Sequence, residues 1–275
     1  MTSKKMTEIK VGITGCAGRM GQVLMRQVAE HERCALVGGS ERKDSDAIGL
    51  DLGELAGIGT LGLTVSRDAR RVFEIADVVL DFTSPAATAR HAELAAAEGA
   101  ALVAGTTGLE PDQEAMVVAA ASKTAIVRAA NMSVGINLLR ALTQRVAATL
   151  GSDFDIEILE MHHRHKIDAP SGTALALGQA AAAGRGVAHD DVADRGRDGI
   201  TGARRPGDIG YAVLRGGNVA GEHSVIFAAD NERIELTHKA TDRAIFARGA
   251  LTAALWLHGK PPGLYSMADV LGLGD

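Results

Sequence analysis

The chain predicts an α/β protein: an N-terminal Rossmann-like doubly wound parallel sheet, followed by a second, α+β domain. Three observations carry this. From Ile9 to about Asn131, short β-branched runs alternate with alanine-rich helical windows, the pattern of βαβ units. A glycine-rich loop stands directly after the first of those runs. Past a long apolar-periodic helix the texture changes: Asp155–Met161 alternates and further strand-like runs follow.

In the first region the strand candidates are Lys10–Thr14, Ala35–Gly38, Ala76–Phe82, Ala100–Ala104 and Ala125–Ala129. Helices are expected over Met20–Glu30, Ala86–Glu98 and Asp112–Ser122, the last just after Pro111, a residue type tolerated in a first helical turn. In the second region the helix spans Ile136–Leu150, and strands are expected at Asp155–Met161, Tyr211–Arg215, Ser224–Ala228 and Arg233–His238. Gly184–Gly210 is rich in Gly, Asp and Arg with little periodicity and reads as a long surface loop. Arg243–His258 is an unusually apolar helical window, ended by Pro261-Pro262-Gly263.

Composition narrows the function classes. A formal charge of −5 over 275 residues offers no overall basic field for nucleic acid. No apolar run reaches the roughly 18 residues of a membrane span. Met1–Lys10 carries lysines but no apolar stretch of a secretory signal, and the two cysteines are too few for a disulfide framework, so the cytoplasm is the expected location.

The nucleotide-site candidate is Gly15-Cys16-Ala17-Gly18-Arg19-Met20-Gly21. Glycines there permit a tight turn and let main-chain N–H groups approach a pyrophosphate, which the following helix also favours. The spacing is G-x-x-G-x-x-G, and it is the strand-before, helix-after context that raises the signal. Glu41 lies twenty residues past Gly21, where an acid would accept hydrogen bonds from a ribose. Arg42 beside it would suit a ribose 2′-phosphate, so the corner is compatible with NADH and with NADPH. Gly105-Thr106-Thr107 and Ala129-Ala130-Asn131-Met132 fall at carboxyl ends of parallel strands, where open α/β sheets bind ligands. Cys16 reads as a small filler thiol.

The reacting-end candidate is the run from Glu160 to Ala174, which contains His162-His163-Arg164-His165-Lys166 and then Pro170-Ser171-Gly172-Thr173. A helix starting at Pro-Ser-Gly-Thr, with Ser171 and Thr173 hydroxyls and Lys166 or Arg164 nearby, suits a carboxylate. Hydride addition to an electron-poor carbon leaves charge that a proton must quench, and His162 or His163 suits that task. On a strand the two face opposite ways, so one reacts while the other binds or orients. His163 and His165 share a face and could chelate, but no cysteine lies nearby, and no metal is expected.

At these residues the chain resembles the dihydrodipicolinate reductases over nearly its full length. The resemblance rests on Gly15–Gly21, Asp81-Phe82-Thr83, Gly105-Thr106-Thr107-Gly108, Ala130–Gly135 and above all Glu160–Ala174. It implies that Gly15, Cys16, Ala17, Gly18, Arg19 and Met20, with Glu41 and Arg42, bind pyrophosphate and adenosine ribose. It implies that Gly105, Thr106, Thr107, Ala129, Ala130, Asn131 and Met132 line the nicotinamide. His162 would then be the proton donor, Lys166 a second donor, and His163, Gly172 and Thr173 the holders of the substrate carboxylates. The family reaction takes 4-hydroxy-tetrahydrodipicolinate and NAD(P)H to tetrahydrodipicolinate, NAD(P)+ and water, on the route to diaminopimelate and lysine. The resemblance also implies a dinucleotide-binding domain of residues 1–131 plus 241–275, a substrate and oligomerisation domain of residues 132–240, and a homotetramer. Met132 stands where a phenylalanine is frequent, which puts stacking near the nicotinamide in question.

Two rivals remain at this stage. One is another Rossmann reductase, of the aspartate-semialdehyde or homoserine dehydrogenase type; the former needs a reactive cysteine away from the glycine loop, and neither Cys16 nor Cys34 is placed for it. A non-catalytic nucleotide sensor would bind cofactor without turnover.

Overall fold

The computed structural model describes residues 8–273, so the reading of the lysine-bearing N-terminus falls, up to residue 7, outside the described residues. By its internal contacts the chain divides into two units, Met1–Ser133 with Ala244–Asp275, and Val134–Arg243.

The first unit is built on β1 (Ile9–Thr14), α1 (Arg19–Ala29), β2 (Cys34–Ser40), α2 (Leu52–Ala56), α3 (Arg70–Ile75), β3 (Val78–Asp81), α4 (Pro85–Glu98), β4 (Ala101–Ala104), α5 (Pro111–Ala121) and β5 (Ala125–Arg128). Its strands, with β11 (Gly263–Tyr265) from the end of the chain, form one sheet in the order β11-β5-β4-β3-β1-β2, every pairing parallel. Successive side chains leave a strand on opposite faces, and both faces are covered. Val11, Ile13, Leu80, Val103 and Val127 enter one buried cluster; Val79, Leu102, Ala104 and Ile126, between them in sequence, enter another. The order reverses at β1, which places the carboxyl ends of β1 and β3 at a switch point, where open sheets of this kind leave a crevice.

The second unit comprises α6 (Val134–Thr149), β6 (Asp155–His162), α7 (Gly172–Gly184), α8 (His189–Val192), β7 (Ala193–Asp194), β8 (Ile209–Arg215), β9 (Gly221–Ala228) and β10 (Arg233–Ala240). Its mixed sheet runs β10-β9-β6-β8-β7. Along β6 and β9 burial alternates residue by residue, so one face carries Ile156, Ile158, Val225 and Phe227 into a core with Leu177 and Ala181 of α7. The chain returns to the first unit with α9 (Ala244–Leu257), β11 (Gly263–Tyr265) and α10 (Met267–Leu271).

The expected architecture is present, with two corrections. The stretch expected to be one loop from Gly184 to Gly210 contains α8, β7 and the start of β8. Its arginines are structural: Arg197 pairs with Glu157 at 2.8 Å, and Arg204 with Asp155 at 2.7 Å and Glu157 at 2.8 Å. Four short elements, α2, α3, β11 and α10, had no periodic signal because none exceeds six residues. Among the described residues no helix is long and apolar enough to cross a membrane.

Candidate active site

In the first unit, β1 ends at Thr14 and the chain turns through Gly15, whose φ of 66° is a left-handed conformation that favours glycine. Gly15 and Cys16 both donate their N–H groups to Ser40 O, at 2.8 and 3.2 Å, which ties the loop to the end of β2. A Cβ on Gly21 would lie 2.3 Å from Gly15 O and 2.6 Å from Cys16 Cα, so the third glycine exists to let α1 close on the loop. Gly18 caps α1 without any side-chain hydrogen bond, which leaves first-turn N–H groups open to a ligand. The Ala17 N–H donates to Glu41 Oε1 at 3.1 Å, and Glu41 follows directly on β2.

Around this corner opens a cavity of about 990 Å³ bordered by Gly15, Gly18, Glu41, Arg42, Lys43 and Arg67, among others. Bare main-chain N–H groups, a missing Cβ at each close approach, and an acid among cations form a donor set that fits a dinucleotide. Arg19 and Arg42 are exposed, and Arg42 makes a solvent-screened pair with Asp44 at 3.4 Å. Cys16 is fully buried, and burial foremost, with Glu41 nearby, pushes its thiol up to about 12. A thiol at that value is a packing group, so Cys16 offers a ligand only main chain.

At the end of β4, the space a Gly105 Cβ would need is filled by the Phe82 ring, 2.2 Å away. Thr106 is buried, and its hydroxyl accepts from Thr83 N–H at 3.0 Å and from the Thr88 hydroxyl at 2.7 Å, whereas Thr107 is exposed. After β5, Ala130 is exposed and Asn131 Oδ1 accepts from Ser133 N–H at 2.9 Å. Met132 is only 1 % exposed and packs in the core of this unit. The sequence reading gave no role to Asp81, which is fully buried at the end of β3. Burial pushes its carboxyl up, but His91 and the Thr83 and Thr88 hydroxyls outweigh that and hold it below the usual range.

In the second unit the last residues of β6 turn Glu160 and His162 to the same, inner face. Glu160 is 1 % exposed and receives four donors: Arg215 Nη1 at 2.8 Å and Nη2 at 3.0 Å, Ser171 N–H at 2.9 Å, and His162 Nδ1 at 2.5 Å. Burial raises this carboxyl, but Arg215 first, then His162 and Ser171, hold it below the usual carboxylate range. The His162 ring meets His223 edge-on, with centroids 5.0 Å apart. His223 is driven down to about 4, by burial first and by the neighbouring His162.

His163, one residue on, faces away and lies 3.4 Å from Arg243 Nη2 through its Nε2. Desolvation, then Arg243, keeps its ring below the ordinary histidine value. Lys166 Nζ pairs with Asp168 Oδ1 at 2.8 Å. Gly172 opens α7, with nothing within 4 Å of where its Cβ would be, and Thr173 follows half-buried. Ser171 departs from the expected carboxylate-binding role. It is buried, its hydroxyl accepts from Ala174 N–H at 3.2 Å to cap α7, and the same oxygen lies 3.1 Å from His223 Nε2. Among the described residues no group of three or more His, Cys, Asp or Glu side chains gathers as a metal site.

The structure thus brings His162, His163, Lys166, Gly172 and Thr173 onto the end of β6, the following loop and the start of α7. It adds Glu160, Arg215, His223 and Arg243, none of which the sequence reading gave a role. Glu160 was within reach of sequence reasoning, since residues two apart on a strand share a face. Arg215, His223 and Arg243 come from distant strands and a loop, and nothing local marks them.

A parallel sheet with a glycine loop at its switch point, joined in one chain to an α+β unit with a buried carboxylate–histidine pair, defines a two-domain Rossmann-type oxidoreductase. Comparison with known proteins narrows the class. The family described as dihydrodipicolinate reductase, N-terminus, matches residues 9–132, and its C-terminus counterpart matches residues 135–271. The chain is 58% identical over 261 residues to a 4-hydroxy-tetrahydrodipicolinate reductase of Dinoroseobacter shibae, covering 95% of this chain and 97% of that one. It is 58% identical to the same-named protein of Ruegeria pomeroyi, with coverages of 98% and 100%. Among solved structures, a dipicolinate-bound dihydrodipicolinate reductase from Paenisporosarcina sp. TG-14 matches with a TM-score of 0.74 at 25% identity, over 96% of this chain and 99% of that one. The DAP dehydrogenase of C. glutamicum, at 14% identity and a TM-score of 0.55, with coverages of 95% and 93%, shares the fold alone. The chain belongs to the dihydrodipicolinate reductase family, and it is an oxidoreductase enzyme.

Proposed function

We propose that the chain reduces 4-hydroxy-tetrahydrodipicolinate to tetrahydrodipicolinate in the lysine and diaminopimelate pathway. In net terms the substrate, NAD(P)H and a proton give tetrahydrodipicolinate, NAD(P)+ and water. The observation that carries this reading is His162, held at Nδ1 by a buried carboxylate, on the same short segment as Lys166 and the open start of α7.

When bound, NAD(P)H supplies the hydride. The residues that hold it are Gly15, Cys16, Ala17, Gly18, Arg19, Met20, Glu41 and Arg42 at the adenosine and pyrophosphate end. Gly105, Thr106, Thr107, Ala129, Ala130, Asn131 and Met132 serve the nicotinamide end, with Thr106 and Met132 acting through main chain, because their side chains are buried. His162 delivers a proton from Nε2 to the charge that reduction leaves on the substrate, and Lys166 is the second donor. His163, Gly172 and Thr173 hold the carboxylates, where the α7 N-terminus favours an anion. The dipicolinate named with the Paenisporosarcina relative, a ring dicarboxylate, supports that class of ligand.

The dinucleotide-binding domain comprises residues 1–131 plus 241–275, and the substrate domain residues 132–240, which also makes the contacts of a homotetramer. The enzyme works in the cytoplasm.

The test mixes the protein with NADH or NADPH and freshly condensed pyruvate and aspartate semialdehyde, and follows nicotinamide absorbance. Turnover that depends on all components is expected. A flat trace with intact cofactor binding would favour the non-catalytic sensor.

A further inference from the structure

The Glu160 cluster asks for more than a proton donor needs. We propose that Glu160 is the positioning residue of the reaction: it fixes the His162 ring so that Nε2 is the nitrogen that delivers the proton, while Arg215 holds Glu160 and ties down the loop carrying Lys166. This deepens the reading of His162 as proton donor and rests on it.

The tautomer follows from donor and acceptor bookkeeping at one carboxylate. An ionised carboxylate only accepts, so an Nδ1 that stands 2.5 Å from Glu160 Oε2 carries a hydrogen. The neutral ring must then leave its lone pair on Nε2, and the protonated ring has its only other N–H there. Glu160 is held ionised by geometry. Both Arg215 nitrogens and Ser171 N–H approach its two oxygens within 3.0 Å, and Glu160 is itself only 1 % exposed.

Room at Nε2 is kept by a glycine. Gly221, at the start of β9 with a φ of 154°, lies where a Cβ would stand 3.1 Å from His162 Nε2 and 3.4 Å from its Cδ2. Any larger residue would crowd the nitrogen that the proposal needs free.

Arg215 has a second task. Its Nη2 also donates to the Asp168 carbonyl at 2.6 Å, and the Asp168 carboxylate pairs with Lys166 at 2.8 Å. One guanidinium therefore couples β6 to the loop between His163 and Pro170, so both proposed donors are referred to the same fixed charge. The pairing also has an electrostatic use. The positive charge of Arg215 offsets the negative charge of the buried carboxylate that the ring faces. The charged and titratable groups around His162 are Glu160 on its own strand, Arg215 on β8, His223 on β9, and His163 and Lys166 on the loop.

The test compares wild type, Glu160→Gln and His162→Ala at saturating cofactor and substrate across pH. For Glu160→Gln, kcat is expected to fall on the order of 100-fold with substrate KM nearly unchanged, and the alkaline limb of kcat against pH to move to lower pH. In 15N-histidine-labelled wild type, His162 is expected to carry its proton on Nδ1 with Nε2 bare when neutral, a readout that stands even if the variant does not fold. A wild-type kcat in Glu160→Gln beside an inactive His162→Ala overturns the role of Glu160 and leaves the proton-donor reading intact. Full activity in His162→Ala overturns that reading itself. A kcat loss with an unmoved pH profile, or a neutral His162 protonated on Nε2, also overturns the proposal.

Discussion

The Ala17 N–H donates to Glu41 Oε1 at 3.1 Å, so the glycine loop after β1 and the acid after β2 form one hydrogen-bonded corner. Glu41 thereby stands at the rim of the cavity that Arg42, Lys43 and Arg67 also border. An acid at this point accepts from ribose hydroxyls and repels a 2′-phosphate. Glu41→Ala is expected to raise KM for NADH roughly tenfold, the scale of one hydrogen bond to a charged group, and to change KM for NADPH much less. Steady-state kinetics with both cofactors check this. Equal losses would reduce Glu41 to a brace for the loop.

Gly21 tests the loop from the packing side. Its absent Cβ would fall 2.3 Å from Gly15 O and 2.6 Å from Cys16 Cα, both main-chain atoms that no rotamer change can move. Gly21→Ala is expected to cost about 1–3 kcal/mol and lower Tm by roughly 3–10 °C, with weakened cofactor binding. Thermal unfolding and cofactor titration measure both. Gly49→Ala is strained by its φ of 83° but meets no atom within 4 Å, so it should leave cofactor binding unchanged.

His223 sets an acid limit on stability. Its folded-state value is about 4, pushed there by burial first and by His162, against an ordinary 6.5. The unfolded chain therefore binds the proton first as pH falls. The stability is fully present above about 6.5 and is lost progressively down to about 4, by up to about 3 kcal/mol. Urea unfolding at a series of pH values should show this slope, and His223→Gln should flatten it. An unchanged slope in the variant would assign the acid sensitivity elsewhere.

Lys166 and Asp168 separate reaction from scaffold. Lys166→Ala is expected to depress kcat strongly with cofactor affinity near wild type, because its proposed role is toward the reacting group. Asp168 is more than half exposed and its pair with Lys166 is screened, so Asp168→Asn should cost under about 1 kcal/mol of stability. Chemical denaturation and kinetics on the two variants check the contrast. Cofactor binding lost in Lys166→Ala would contradict the assignment.

Much of this was legible before any coordinates. The short β-branched runs located the four central strands of the first sheet because those strands are buried on both faces and so are largely apolar. The glycine loop was legible because each glycine answers a steric demand made by the loop itself. What stayed hidden depended on distance in sequence. Arg215 meets Glu160 from 55 residues away, and His223 meets Ser171 from 52. Ser171 looked like a ligand-binding hydroxyl because its partner His223 lies on another strand. Arg197 and Arg204 looked like parts of a free loop because Glu157, which pins both, sits on β6. Met132 put stacking in question because the resemblance has a phenylalanine frequent there, and only the packed core shows its side chain turned inward.

The role proposed for His162 is to give a proton in the reduction. Its most direct test is single-turnover and steady-state reduction of 4-hydroxy-tetrahydrodipicolinate by wild type and His162→Ala, with cofactor affinity measured separately. A kcat lower by roughly 100-fold or more is expected for His162→Ala, with cofactor affinity near wild type. Wild-type turnover by His162→Ala, with the fold and cofactor binding intact, would contradict it.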